Sequence, residues 1–576
     1  MDKRLSDAFA TGYERLSAWS DLLDDINLFP VADSDTGRNL RISLAALRNA
    51  GRSQTAEQLL LTATGNSGNI AAAFFSKFVT IQSETEIEAA AETGRQAAWK
   101  ALLDPKPGTM LTLFDSLCEA LADAPQLHTK DAANDVLHRL KAAVLSTAQI
   151  LPTLKQAGVV DAGALGLFLF FEGFVKHLAA LAETFHSPTE LFGNALVING
   201  AAESEPDDRY CIDTVLRIDG GTEASLERIA ALGDSVVALP DRNLLKIHFH
   251  TDSGESAKQT LADLGTVVRW NQEKIEVTDA DHRIPVKDSA EIHIATDAAG
   301  SLTRKAAQDL GVTLLDSYLI IGDRHVPETL VEPEELYDAM RRGVRVTTAQ
   351  ASTFERHQCY QSLVNRHQRT LYLCVGSVYT GNFKIARQWS DTHAANGRMV
   401  VVDSTAASGR LALIATALAR SRNAGRPARR LLDDAQELIE RCDELVFLDQ
   451  LKYLAAGGRI SKTRGFFGDL MKFKPVISPR AQGAEKVGIV KNRQEQLRFA
   501  LQHMQPLLDL KRSATILLQH TDNRDWVESE AADTIAAKFP NAEISIGPMS
   551  LTSGAHMGPG TWAAAFLPET AIDDRA

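Results

Sequence analysis

The stretch "NLFPVADSDTGRNL", Asn27 to Leu40, sets two carboxylates, Asp33 and Asp35, one residue apart and follows them at once with Thr36, Gly37 and Asn39. Beyond it Leu40, Leu44 and Leu47 fall at i, i+4 and i+7, the spacing of one helical face, so the pair stands just ahead of a helix. Asp and Thr are also ordinary turn and N-cap residues, and taken alone the string reads first as a plain helix start. A calcium loop does not. Counted from Asp33, an EF-hand needs Gly at its sixth position and Glu at its twelfth, and Arg38 and Leu44 stand there.

Working outward, residues 1–190 read as helices throughout, in segments such as "IAAAFFSKFV" and "ANDVLHRLKAAVLSTA". Polar, glycine-bearing loops recur between them: "TGNSGN" (Thr64 to Asn69), "DPKPGT" (Asp104 to Thr109) and "AGVVDAG" (Ala157 to Gly163). Helices joined by short turns alternate in direction, so loops two helices apart share one end of a bundle. Loops gathered there would offer helix N-terminal N–H groups to an anion, and Asp33 and Asp35 would add the hard oxygen ligands that Mg²⁺ prefers. That is the description of a Mg-nucleotide site. The chain contains no GxxxxGK[ST] and no GxGxxG string, so no P-loop or kinase-type glycine loop carries the phosphates.

Near residue 190 the texture changes to Pro-, Gly-, Ser- and acid-containing segments, as at a linker. Residues 207–285 then show period-two runs, "YCIDTVLRI", "DSVVAL" and "LLKIHFHT", with one helix-like stretch, which predicts a small α+β module. Alternation within "LLKIHFHT" places His248 and His250 on one face. They are either two histidines on an exposed polar face or half of a zinc site to which Cys211 adds a thiolate. From 290 to 576, apolar runs alternate with helical stretches, which predicts a mostly parallel sheet covered by helices. Those runs end in "TDAAGS", "VGSVYTGN" and "VDSTAASG". Such strand ends are either N-caps or the rim of a site for an anionic head group.

Composition narrows the classes. A chain of 576 residues exceeds one hydrophobic core and is expected to be multidomain. A net charge of -13 argues against nucleic acid or an anionic membrane as the main partner. The five cysteines lack CxxC spacing, as in a reducing compartment. The longest apolar stretch, "AGALGLFLFF" at 162–171, is too short to span a bilayer, and the first residues lack a signal-peptide core. A cytoplasmic protein, not integral to the membrane, is expected.

The first third resembles the DhaL, or Dak phosphatase, domain of dihydroxyacetone kinases, and more closely the ATP-binding domain of bacterial fatty acid kinases. The family's string is approximately N-x-F-P-V-P-D-G-D-T-G-T-N-M. Asn27, Phe29, Pro30, Val31, Asp33, Asp35, Thr36, Gly37 and Asn39 match it in register, whereas Ala32, Ser34, Arg38 and Leu40 depart. The resemblance implies that Asp33 and Asp35 hold Mg²⁺, with Asn27 a weaker candidate ligand, and it makes Asp33, Asp35 and Thr36 the catalytic candidates. It implies nucleotide contacts from Asn39, Gly65, Asn66, Ser67, Gly68, Gly108, Thr109, Asp161 and Gly163. Thr64 stands where the family's G-A-R-G-N-S-G has arginine. The middle module resembles the middle domain of fatty acid kinases, which makes Cys211, His248 and His250 candidate zinc ligands.

In the last third "LDQLKYLAAGGRISK" (448–462), "FKPVIS" (473–478) and "GAHMGPGTWAAAF" (554–566) resemble the DegV family of fatty-acid-binding proteins. That implies a two-lobed α/β domain which buries an acyl chain. The head-group positions that carry over are Thr348, Ser377, Thr380, Gly381, Arg459 and His556. Ala349 and Ala298 stand where the family usually has serine. The combination implies a fatty acid kinase that uses ATP, Mg²⁺ and possible Zn²⁺ to phosphorylate the carboxylate of a fatty acid bound in the same chain. The product would be an acyl phosphate for a phospholipid-synthesis acyltransferase, and a homodimer is expected. The alternatives are a lipid-binding or regulatory protein without turnover and a glycerone-type kinase.

Overall fold

Helix starts in the first third follow capping chemistry. The side chains of Asp2, Thr109, Thr129 and Asp161 each accept a hydrogen bond from a backbone N–H in the first turn of the helix that follows. The structure is a computed structural model that describes residues 1–51, 54–124, 127–181, 185–198, 209–218, 228–241, 243–275, 292–394, 397–456, 474–508 and 513–568. The chain divides into two compact units, Met1–Lys287 and Asp288–Ala576.

In the first unit the helices are α1 (Lys3–Ser17), α2 (Ser20–Asp25), α3 (Thr36–Leu44), α4 (Thr55–Thr62), α5 (Gly65–Phe78), α6 (Ile87–Ala101), α7 (Met110–Asp123), α8 (Lys130–Ile150), α9 (Pro152–Ala157), α10 (Ala162–Leu178) and α11 (Pro188–Phe192). The apolar run at 162–171 lies in α10, which is buried along nearly its whole length, as expected of a helix that is hydrophobic all round. No helix among the described residues is long and apolar enough to cross a membrane. Helix α1 packs on α10 at backbone contact: a Cβ at Gly12 would sit 2.7 Å from Phe170 O, and one at Gly173 would sit 2.7 Å from Thr11 O. Around this crossing lies a cluster of buried phenylalanines in which Phe74 and Phe114 stack at 4.1 Å. Each ring contributes roughly 1.5–3 kcal/mol by its burial. Inside the same bundle Arg15 meets Glu172 at 2.8 Å and Lys176 meets it at 2.7 Å, so these buried charges are matched.

The middle module is a four-stranded antiparallel sheet in the order β2-β3-β1-β4, made of β1 (Tyr210–Arg217), β2 (Asp234–Asp241), β3 (Leu244–Thr251) and β4 (Thr266–Lys274). One face, with Ile212, Leu216, Leu245, Ile247 and Phe249, forms its apolar core with the helix Gly254–Ala262. Register sets Cys211 opposite His250 and Asp213 opposite His248, which puts these four side chains together on the other face. That face is turned to the helical bundle, not to solvent: His248 is 0% and His250 3% exposed. The reading of two histidines on an exposed polar face therefore fails.

The second unit has two lobes. In one, β5 (His293–Asp297), β6 (Val312–Leu315), β10 (Thr370–Cys374) and β11 (Met399–Asp403) make a parallel sheet in the order β11-β10-β5-β6 between helices. The other holds six strands, β12 (Asp443–Phe447), β13 (Lys474–Arg480), β14 (Gly483–Val490), β15 (Ala514–His520), β16 (Ala542–Pro548) and β17 (Trp562–Pro568), of which only β15 and β16 pair in parallel. The expected mostly parallel sheet is thus confined to the first lobe. A small antiparallel sheet of β7 (Tyr318–Ile321), β8 (Arg324–Pro327) and β9 (Val346–Ala349) completes the unit.

Candidate functional site

Four loops of the bundle and one face of the middle sheet line a cavity of about 450 Å³. The α2–α3 loop contributes Asn27, Asp33, Asp35 and Thr36; the start of α5 contributes Gly65, Asn66 and Ser67. The α6–α7 loop contributes Asp104, Lys106 and Thr109, the turn into α10 contributes Asp161 and Gly163, and the middle sheet contributes Cys211, His248 and His250. Two groups of candidate ligands that lie far apart in sequence, the aspartate pair and the Cys–His–His set, therefore share one cavity. Apolar walls come from Phe29, Ile70, Leu102, Leu103 and Met110.

Ser34, between the two aspartates, takes a left-handed conformation with φ 55°. A non-glycine residue held there stores about 1–3 kcal/mol of strain. Asn27 donates to Asp33 Oδ1 at 2.7 Å. Its own Oδ1 is buried and has no hydrogen-bond partner. Burial, and after it the neighbouring charge of Asp35, pushes Asp33 well above the usual carboxylate range; burial also raises Asp35. Asp161, which caps α10 through Ala164 N at 2.7 Å, is pushed up to about 7 by burial. These oxygens fit a hard divalent cation, which would restore the charge that burial disfavours.

Cys211, His248 and His250 place one ligand atom each within 4.8 Å of one another. The His248 Nε2 is buried without a hydrogen-bond partner, and burial raises the Cys211 thiol strongly. A thiol and two imidazoles suit Zn²⁺, whose binding deprotonates the sulfur. Beside them is Asp213, also buried. Burial acts to raise its pKa, but His248 and Lys246 outweigh that and hold the carboxyl well below the usual range.

The remaining nucleotide candidates stand behind the cavity wall. The Asn39 side chain packs under Gly65, Gly68 packs on Ser43, and Gly108 packs on Ile150 while its N–H donates to Thr112 Oγ1 at 2.8 Å. Not every helix N-terminus is open to an anion. Asp24 accepts from Gly37 N at 2.6 Å and Arg38 N at 3.1 Å, so it caps α3, and Gly65 N is held by Asp213 at 2.9 Å. Sequence reasoning missed Asp24, Lys106 and Asp213. Only Asp213 carried a usable signal, since it lies two residues past Cys211 in a period-two run.

In the second unit Thr348 Oγ1 meets His556 Nε2 at 3.1 Å. Thr380 Oγ1 accepts from Asn382 N at 3.2 Å, and a Cβ on Gly381 would lie 3.5 Å from Gln350 Oε1. Ser377 is tied instead to the end of β11, its N–H donating to Asp403 at 3.0 Å. Arg459 lies outside the described residues.

Three family models match consecutive parts of the chain: a DAK2 domain over residues 30–176, a FakA-like fatty acid kinase middle domain over 207–283, and the DegV family, described as uncharacterised, over 291–569. Among curated proteins, SERP0792 of Staphylococcus epidermidis is 30% identical over 280 residues, which is 43% of this chain and 50% of that protein. SH1689 of Staphylococcus haemolyticus is 25% identical over 359 residues, 56% of this chain and 64% of that protein. The chain thus spans half or somewhat more of the length of these relatives. Similar solved structures include one described as fatty acid binding of a DegV family protein from Thermus thermophilus, with TM-score 0.45 and 20% identity over 48% of this chain and 100% of that one. Another is DegV, a fatty acid binding protein from Bacillus subtilis, with TM-score 0.44 and 16% identity over 49% and 100%. In one polypeptide, then, the chain joins a DAK2 domain, a FakA-like fatty acid kinase middle domain and a DegV-family domain.

Proposed function

We propose that this chain is a fatty acid kinase that transfers the γ-phosphoryl group of ATP to the carboxylate of a fatty acid held by its own DegV-family domain. The observation that carries the reading is the aspartate pair: two half-buried carboxylates one residue apart, both pushed toward protonation by their surroundings, line a cavity of nucleotide size. In the reaction a carboxylate oxygen attacks the γ-phosphorus, the bond from that phosphorus to the β,γ-bridging oxygen breaks, and ADP leaves with the electron pair. No general base is required, because a fatty acid with a pKa of about 4–5 is already ionised at neutral pH.

Asp33, Asp35 and the unpartnered Asn27 Oδ1 would hold Mg²⁺. When bound, Mg²⁺ neutralises phosphate charge and aligns the transferring group. Asn66, Ser67 and Thr109 present polar groups at the starts of α5 and α7 to the phosphates, and Leu102, Leu103 and Met110 offer an apolar wall to the base. Cys211, His248 and His250 would hold Zn²⁺. On the acyl side, Thr348 and His556 orient the carboxylate. Fusion of carrier and kinase replaces a diffusive encounter by an intramolecular one, or by exchange within a homodimer. The acyl phosphate would pass to a phospholipid-synthesis acyltransferase in the cytoplasm.

The test is ATP- and Mg²⁺-dependent acyl phosphate formation from a panel of fatty acids, trapped as hydroxamate by hydroxylamine. Hydroxamate that requires both ATP and Mg²⁺ is the expected result. Tight binding of fatty acid without product would establish the competing reading, lipid binding without turnover, which the replacement of the family arginine by Thr64 favours.

A further inference from the structure

Phosphoryl transfer as described leaves Asp213 unused, yet this carboxylate touches two parts of the cavity lining, His248 of the middle sheet and Gly65 at the start of α5. Its Oδ2 lies 3.4 Å from His248 Nδ1, and the other ring nitrogen of His248, Nε2, is buried and unpartnered. A metal-ligating imidazole typically gives its second nitrogen to a carboxylate, which fixes the ring and its tautomer. The same carboxylate accepts from Gly65 N at 2.9 Å, Thr64 Oγ1 at 3.2 Å and Asn69 Nδ2 at 3.0 Å. These bonds hold the turn that opens α5, where Gly65 is left-handed at φ 64° and the next two residues, Asn66 and Ser67, reach the cavity. Lys246 braces the arrangement, 3.4 Å from Asp213 Oδ1 and donating to Ala63 O at 2.6 Å.

We propose that Asp213 is a positioning residue that couples Zn²⁺ held by Cys211, His248 and His250 to Mg-nucleotide binding at the Gly65 turn. The inference rests on reading the cavity as a Mg-nucleotide site. With the ion in place His248 is oriented toward it, Asp213 is fixed by His248, and the turn is fixed by Asp213. Such coupling is reciprocal, and in proteins it usually changes affinity by about 5- to 150-fold.

The test uses the intact chain. Calorimetric titration with a non-hydrolysable ATP analogue, in excess Mg²⁺, compares zinc-loaded protein with protein stripped by a zinc-selective chelator. Stripping is expected to weaken nucleotide binding at least about fivefold, and the Mg-nucleotide is expected to raise zinc affinity, measured by chelator competition, by the same factor. Asp213→Asn should bring both factors close to one. Thr64→Val, which removes one donor to the carboxylate and spares all three zinc ligands, should lower the coupling at unchanged zinc content, and it serves where Asp213→Asn does not fold. Equal nucleotide affinity with and without zinc, or undiminished coupling in the variants, overturns the proposal while leaving the nucleotide site standing. Failure of the zinc-loaded wild type to bind nucleotide overturns both.

Discussion

Asp33 and Asp35 in the helical bundle, half-buried, and Asp297 in the second unit, buried, are carboxylates beside a loop, and their surroundings treat them in opposite ways. Asp297, 0% exposed at the end of β5, accepts from Tyr372 Oη, Asn382 Nδ2 and Val375 N, each at 2.8 Å, and lies 3.3 Å from the Arg356 guanidinium. The protein itself supplies every partner this carboxylate needs. Asp33 receives one amide from Asn27 and otherwise faces its own kind. A buried charge that the fold satisfies acts as a structural strut, whereas one that the fold leaves uncompensated asks for a cation from outside.

The contrast breaks most readily at Asp35. Asp35→Asn is expected to lower acyl phosphate formation roughly a thousandfold or more, because a bound cation supplies several kcal/mol to phosphoryl transfer and about 1.4 kcal/mol is a factor of ten. The same change should leave the melting temperature of the metal-free protein unchanged or higher, since it removes like-charge repulsion from Asp33. Wild-type turnover in hydroxylamine trapping would remove Asp35 from the metal site. Asp297→Ala should do the reverse. It strands Arg356, 1% exposed, without its counter-charge, and urea denaturation should show a loss of about 3–5 kcal/mol in the second unit. Zinc content and nucleotide binding of the first unit should stay as they were.

The same distinction explains what could be read in advance. The helical third was legible because Leu40, Leu44 and Leu47 keep helical period, and the middle sheet because "LLKIHFHT" keeps strand period. Strand direction in the second unit was not, because runs such as "DELVFLD" look alike whether they pair in parallel or antiparallel. Asp33 and Asp35 stood out through an unusual local string. Asp213 stands in an equally local string, "RYCID", but its meaning comes from the register that sets it opposite His248 and from its contact with Gly65. Those are tertiary facts, and no single segment holds them.

Glu328 is a carboxylate of the second unit that departs from the pattern of Asp297. Its Oε2 accepts from Thr552 N at 2.9 Å, but its Oε1 is buried without a partner, and burial pushes its pKa up to about 8. Between about pH 4.5 and 8 the unfolded chain has released this proton and the folded chain has not. Stability from this group is therefore full below about 4.5, falls as pH rises through that window, and levels off above it. Glu328→Gln keeps an acceptor for Thr552 and removes the proton, so it should flatten that slope. The variant should be more stable than the wild type by on the order of 2 kcal/mol at pH 8.5, by urea denaturation, with little difference at pH 4.5. A gain that does not change with pH would mean that Glu328 is already compensated and belongs with Asp297.

The smallest effect is expected at Thr348. If the second unit places a ligand-facing group anywhere, the Thr348–His556 pair is the candidate, since Thr348 is only half-buried and joins the small sheet to the helix Leu551–Met557. Thr348→Val keeps the shape and removes the hydroxyl. A single hydrogen bond to a charged group contributes about 1.5–3 kcal/mol, and part of that is recovered here by His556. Fatty acid affinity should therefore fall by about fivefold, close to 1 kcal/mol, in a fluorescent fatty acid displacement assay. Nucleotide affinity should be unaffected. Unchanged lipid affinity together with a lowered melting temperature would assign the pair to the fold, and the second unit would then resemble Asp297 throughout: polar groups that serve one another and leave the ligand to apolar burial.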